Sequence, residues 1–459
     1  MSEFTNQIYG YSIATNKTNV VIGNPSNFVY NSASVQYTGS VEVLKYNNQT
    51  DSYTHSVSIR KYINPQILIA IETSDLLARD ANGDNFLYEF SQLTPSSSKF
   101  GKSVAISNNT IAIGDPFYYF NITNTGSGVI TGSSVDLFDV TGSYLTSISN
   151  TYDTNYDYNT TFGESVSLYN DILAIGASSI SSSTGAVYIY KNIANTWTYY
   201  QTLTGSLAIT GSKFGGVVRI DQSGFKNIVV GNSATGSGLV YVFSYNTSSQ
   251  YWNQTSILYP NRNLTQSLQT INNNWPPYIT SNTNPDGFGN SVAIYENNIV
   301  VGAPTDTIYQ QYNGSSVTRY RGAAYFYQNC NNSLNLWKLI EKTYGSSDLL
   351  NTNKFGWDVA IYNTSSVVSS LKLNYPYSAS YIQNTLYKKF DCNPDDFEID
   401  VLGQVVVFQQ NPTSSNWDVI TTVTKNKQYN DPYKLYGYSV SLYDSALAVG
   451  APIITYPNL

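Results

Sequence analysis

One recurring unit constrains the fold of this 459-residue chain more than any other feature. It consists of an aromatic-Gly pair, a short apolar alternation, a tight turn, a second apolar alternation, and then Gly-Ala, Gly-Asp or Gly-Asn, often followed by Pro. Clear copies run from Phe100-Gly101 to Gly114-Asp115-Pro116, from Phe162-Gly163 to Gly176-Ala177 and from Phe288-Gly289 to Gly302-Ala303-Pro304. Others run from Tyr9-Gly10 to Gly23-Asn24-Pro25, from Phe214-Gly215 to Gly231-Asn232 and from Tyr436-Gly437 to Gly450-Ala451-Pro452. A worn copy begins at Phe355-Gly356 and lacks the closing Gly-Ala-Pro. A repeat spaced by roughly 50–90 residues is blade-sized or longer, which excludes a lone small core.

Within a copy the apolar residues alternate with the period of two that marks strands. Ser103-Val104-Ala105-Ile106, a turn at Asn108-Asn109 and Thr110-Ile111-Ala112-Ile113 form one hairpin. A third strand follows, opened by Gly, as in Gly185-Ala186-Val187-Tyr188-Ile189-Tyr190, Gly238-Leu239-Val240-Tyr241 and Gly322-Ala323-Ala324-Tyr325. A fourth carries a Trp, at Trp197, Trp252, Trp337 and Trp417. Four antiparallel strands per unit make a propeller blade. Composition agrees, since 42 Tyr, 31 Gly and only 12% charged residues suit pleated strands and tight turns better than solvated helices.

The strings Phe-Gly-x-Ser-Val-Ala-Ile, Ile-Ala-Ile-Gly-Asp-Pro and Gly-Ala-Val-Tyr-Ile-Tyr resemble the FG-GAP repeat family, whose best-known members are the seven-bladed propellers of integrin alpha chains. The resemblance spans Tyr9 to Pro452 and implies a propeller that binds other macromolecules. The expected fold is thus an all-β single-domain β-propeller over residues 1–459. It has seven four-stranded blades, starting near residues 9, 100, 162, 214, 288, 355 and 436. The stretch 54–99, with His55-Ser56-Val57-Ser58-Ile59 and Ile67-Leu68-Ile69-Ala70-Ile71, is either an eighth, degenerate repeat or the outer strands of the first blade. Leu459 follows the last Gly-Ala-Pro too soon for two more strands, so the chain continues further or closes irregularly.

A net charge of −7 argues against nucleic acid as a partner, because affinity for phosphates comes from clustered Lys and Arg. No apolar run reaches the ~18 residues of a membrane span, and Met1 opens a polar stretch with no visible signal region. Cys330 and Cys392 are too few for a disulfide framework and make one bridge or none.

Long connections fall between the second and third strands or between blades: Phe117 to Thr131, Leu258 to Gly287, Thr305 to Arg321 and Ser369 to Leu402. Both classes emerge on one face of an up-and-down blade, which makes that face the expected binding surface. The resemblance implies calcium loops, yet the first hairpin turns are too short to hold one. The nearest string is Asp80-Ala81-Asn82-Gly83-Asp84-Asn85, where Asp80, Asn82 and Asp84 are candidate calcium ligands or a solvated turn. Asp391, Asp395, Asp396 and Glu398, beside Cys392 and Asp400, form a second candidate cation site or a solvated acidic face.

Catalytic signals are sparse. His55 is the only histidine, and no phosphate loop, dinucleotide fingerprint or zinc-protease motif occurs. The expected function is a non-enzymatic adhesion, interaction or structural surface protein, extracellular or on a cell or virion, that binds a protein or glycan on the long-loop face. Two alternatives stand beside it: a carbohydrate-binding or carbohydrate-active propeller, and a structural subunit of a virus particle or surface filament.

Overall fold

The apolar alternation is realised as strands that pair in chain order. The computed structural model describes residues 10–61, 99–149, 161–260, 287–344, 353–372, 403–424 and 435–452, apart from short interruptions within them. The first sheet joins β1 (Ser12–Thr15), β2 (Asn19–Asn24), β5 (Ser40–Asn47) and β6 (Ser52–Ile59). Between β2 and β5 lies a separate hairpin of β3 (Phe28–Asn31) and β4 (Ser34–Tyr37). The second sheet is β7 (Ser103–Ser107), β8 (Thr110–Asp115), β11 (Ser134–Asp139) and β12 (Tyr144–Ser149), again with an inserted hairpin, β9 (Tyr119–Ile122) and β10 (Gly128–Thr131). The third is β13 (Ser165–Tyr169), β14 (Ile172–Ala177), β15 (Ala186–Ile193) and β16 (Thr196–Leu203), with one helical turn α1 (Ile180–Ser183) before β15.

The fourth sheet is β17 (Val217–Ile220), β18 (Asn227–Asn232), β19 (Leu239–Asn246) and β20 (Tyr251–Leu258). The fifth joins β21 (Ser291–Tyr295), β22 (Asn298–Ala303), β25 (Ala323–Asn331) and β26 (Leu336–Tyr344), and inserts the hairpin β23 (Thr307–Tyr312) and β24 (Ser315–Tyr320). The sixth is β27 (Asn353–Tyr362), β28 (Ser365–Lys372), β29 (Gln404–Gln410) and β30 (Trp417–Thr424). The last Phe-Gly-type copy yields only a two-stranded sheet, β31 (Val440–Tyr443) and β32 (Ala446–Val449).

The fold is a β-propeller of antiparallel four-stranded blades, and the described residues form six of them rather than the expected seven or eight. Aromatic-Gly motifs count inner hairpins, whereas a blade also needs the two outer strands, and the described residues contain none for the last copy. The β31–β32 hairpin holds the place between the sixth and first blades, packing against β27 and β1. Of the stretch 54–99, residues through Ile59 belong to β6, the outermost strand of the first blade, and residues 62–98 lie outside the described residues. The third and fourth strands pair as expected, and each of the six third-to-fourth pairings carries a register shift at the same point.

The core is a set of layers between neighbouring sheets, not one central mass. Phe162, Val166 and Tyr188 of the third blade, for example, pack on Val135 and Leu137 of the second. The aromatic of each Phe-Gly is fully buried against the third strand of its own blade, with Phe214–Tyr241 ring centroids 5.2 Å apart and Phe288–Tyr325 5.0 Å apart. Trp252, Trp337 and Trp417 are likewise buried. Cys330 is an exposed free thiol, and Cys392 lies outside the described residues.

One polar contact recurs between successive blades. In five of the seven copies the Ser two residues after the aromatic-Gly donates its Oγ hydrogen to the carbonyl of the next motif Gly around the ring. These bonds run Ser12 to Gly101 (2.9 Å), Ser103 to Gly163 (2.8 Å), Ser165 to Gly215 (2.8 Å) and Ser291 to Gly356 (3.1 Å). Ser439 does the same to Gly10 (2.8 Å), which closes the ring. The same carbonyl explains the Gly of Gly-Asp-Pro: a Cβ on Gly114 would stand 2.1 Å from the Gly163 oxygen. Gly101 and Gly163 themselves sit at φ +89°, where a side chain is strained.

Two substitutions test this joint. Ser103→Ala should lower stability by about 1 kcal/mol, the net worth of one hydrogen bond. Gly114→Ala should cost more, about 1–3 kcal/mol, because the neighbouring backbone must move. Urea denaturation midpoints read both, and equal midpoints for wild type and Gly114→Ala would refute the close approach.

Candidate functional site

The two faces of the ring differ as the loop lengths suggest. On one face the first and second strands are joined by tight turns that place Asn108, Asn170, Glu296, Asn363 and Asp444 at positive φ, close to +50°. On the other, the connections between second and third strands are built up into β3–β4, β9–β10 and β23–β24. The long connections 62–98, 261–286 and 373–402 are outside the described residues. So are all the sequence-predicted metal ligands: Asp80, Asn82, Asp84, Asp391, Asp395, Asp396 and Glu398. Among the described residues no group of three or more His, Cys, Asp and Glu side chains is placed to hold a metal ion.

His55 is exposed on β6, where Nε2 lies 2.8 Å from Glu42 Oε2 and 3.1 Å from Ser58 Oγ. Both contacts converge on one ring nitrogen. A Ser-His-acid relay instead needs the base and its orienting carboxylate on opposite nitrogens.

The innermost strands β1, β7, β13, β17, β21, β27 and β31 surround a central channel, and their repeat positions can be compared column by column. The fourth residue after each motif Gly faces this channel and is small in six strands: Ala14, Ala105, Ser167, Ala293, Ala360 and Ser441. In β17 it is Arg219. The position of the Ser that bonds the next motif Gly also deviates twice, with Val217 in β17 and Asp358 in β27 in its place.

Asp358 answers its position differently from a Ser. Its two carboxylate oxygens accept the backbone N–H of Val359 (3.0 Å) and of Val440 in β31 (2.8 Å). Burial pushes the carboxyl up to about 6, opposed by the positive charge of Arg219 and by these two N–H bonds. Arg219 donates from Nη1 to the Val218 carbonyl at 2.9 Å, and burial lowers its pKa against the opposing pull of Asp358.

At the tight-turn mouth of the channel three tyrosines run side by side. Tyr295–Tyr362 centroids are 4.9 Å apart and Tyr362–Tyr443 centroids 4.6 Å. Burial, then the bond to Tyr443, pushes the Tyr362 hydroxyl up to about 12. Beside them the buried Asp221 carboxylate accepts from Ser223 and from the Glu296 backbone N–H at 3.0 Å. Sequence reading by motif missed Arg219, Asp358 and this tyrosine row. The available signal was the break in an otherwise uniform repeat column.

The FG-GAP repeat family matches residues 283–327, which hold the Phe288-Gly289 motif, β21, β22 and most of β25. That segment is an FG-GAP repeat set in a propeller of like units. No curated protein matches the sequence. A solved crystal structure of a protein from Lactobacillus plantarum, a structural-genomics target, is similar over 90% of this chain and 84% of that one, at 9% identity and a TM-score of 0.41. A likeness that weak adds nothing to the reading of the fold or site.

The raised Asp358 pKa has a pH consequence. A carboxyl whose folded pKa lies above its unfolded value of 3.8 favours the folded state fully below pH 3.8, and that contribution is lost as pH rises through about 6. Wild-type stability should therefore fall relative to Asp358→Asn between pH 4 and pH 7, by on the order of 2 kcal/mol. Paired denaturation curves at the two pH values check this, and parallel behaviour of the two proteins would contradict it.

Proposed function

We propose that this propeller is a non-enzymatic interaction module of adhesive or structural surface type, which engages a protein or glycan partner on its long-loop face. The observation that carries the reading is the asymmetry of the ring, with three inserted hairpins on one face against tight turns on the other. Binding residues concentrate in loops held by a rigid scaffold. The first strands of these hairpins have the sequences Phe-Val-Tyr-Asn, Tyr-Phe-Asn-Ile and Thr-Ile-Tyr-Gln-Gln-Tyr, uncharged and rich in the aromatic and amide residue types that binding surfaces favour. The geometry of His55, exposed and with both contacts on one nitrogen, also favours binding over turnover. No described helix is long and apolar enough to cross a membrane.

The test is a labelled protein applied to a glycan array and to intact cell surfaces, beside a variant in which residues 307–320 are replaced by Asn-Gly. Binding without turnover by the wild type, reduced at least tenfold in the variant, is the expected result. Hydrolysis of a bound glycan, or equal binding by the variant, would overturn the proposal.

A further inference from the structure

The central channel contains a cavity of about 120 Å³ lined by residues from all seven innermost strands. Most of its lining is aliphatic, as expected where Val, Ile and Ala of the repeat converge. Arg219 is the one charged side chain in that lining. It stands where the other six strands carry Ala or Ser, so the packing of the ring does not require a long side chain there.

Its guanidinium is also poorly matched by the protein. Among the described residues only the Val218 carbonyl accepts from it, and no carboxylate comes within 4.0 Å. Asp358, the nearest opposite charge by its electrostatic effect, lies outside the cavity lining and has both oxygens engaged by backbone N–H groups. A guanidinium keeps its charge at any ordinary pH, and its planar fork fits oxyanions in two-point contact. A half-buried cation with no carboxylate in hydrogen-bond reach is incompletely compensated, and an anion beside it offsets that cost.

We propose that Arg219 anchors a small oxyanion, a phosphate or a carboxylate, inside the central channel. The space suffices, since a cavity of roughly 150 Å³ holds a benzene-sized molecule. Hydroxyls are at hand in the same lining. Ser441 and Thr15 share one hydrogen bond of 2.8 Å, which leaves one of the two hydroxyl hydrogens to donate elsewhere. Ser167 Oγ accepts the Ile220 N–H at 2.9 Å and keeps its own hydrogen for a ligand. This site is independent of the long-loop face.

Isothermal titration of the full chain with inorganic phosphate, and separately with acetate, tests the assignment at constant ionic strength in chloride. Saturable binding of at least one anion in the millimolar range or tighter is expected. Arg219→Ala should weaken it at least tenfold, while Arg219→Lys retains part of it. Arg219→Ala installs the residue that four other strands carry, so the ring is expected to fold, and a circular-dichroism melt confirms that. Asp358→Asn removes a nearby negative charge and should tighten binding several-fold. Absence of binding by the wild type at 50 mM anion, or equal affinity in Arg219→Ala, would overturn the site. Phosphate binding without acetate binding would narrow it to tetrahedral anions, and the reverse to carboxylates.

Discussion

The carbonyl of the glycine in each aromatic-Gly pair is the point on which the ring depends. It accepts the Ser hydroxyl of the preceding blade and excludes any side chain from that blade's second strand, as the 2.1 Å clearance at Gly114 shows. Three letters of the repeat, the Gly of Phe-Gly, the Ser two residues later and the Gly of Gly-Ala-Pro, therefore describe one contact seen from two chains of strand. The Phe ring then fills the layer beside it. A motif that looks like a family label in sequence is a joint in three dimensions.

Two junctions depart from that joint, and they carry the chemistry of the channel. Between the fourth and fifth blades Val217 replaces the Ser, and the next channel-facing residue of the same strand is Arg219. Between the sixth blade and β31 the Ser becomes Asp358 and the closing Gly becomes Ser369, whose Oγ accepts the Asp358 N–H at 2.9 Å. There the link across the junction is the Asp358 bond to the Val440 N–H instead of a hydroxyl-to-glycine bond. Both charged deviations fall on innermost strands, and of the two only Arg219 lines the channel cavity.

Much of this was legible beforehand. Period-two alternation, the Gly-opened third strand and the Trp of the fourth gave all-β blades with correct pairing, because each is a local consequence of burying alternate residues. The blade number was not legible from motif counting. Phe355-Gly356 lost its Gly-Ala-Pro and still built a full blade, whereas Tyr436-Gly437 kept its own and shows two strands. The repeated register shift in the outer pairing leaves no letter in the sequence, since it concerns backbone spacing and not residue type. Arg219 and Asp358 were readable only by aligning the repeats into columns, and a search for motifs passes over a single odd residue in a column.

The ring is closed without any covalent or strand-sharing device among the described residues. Ser439 to Gly10 and Ser441 to Thr15 join residues 429 and 426 positions apart, backed by the Tyr11–Tyr438 ring pair at 4.9 Å. Every other joint connects neighbours in sequence, so blades can assemble one after another, while this contact waits for the whole circle. The seam beside β1 therefore carries the largest loop-closure cost of any joint in the ring. Among the described residues the polar and aromatic contacts across it are three hydroxyl groups in two hydrogen bonds and a pair of tyrosines.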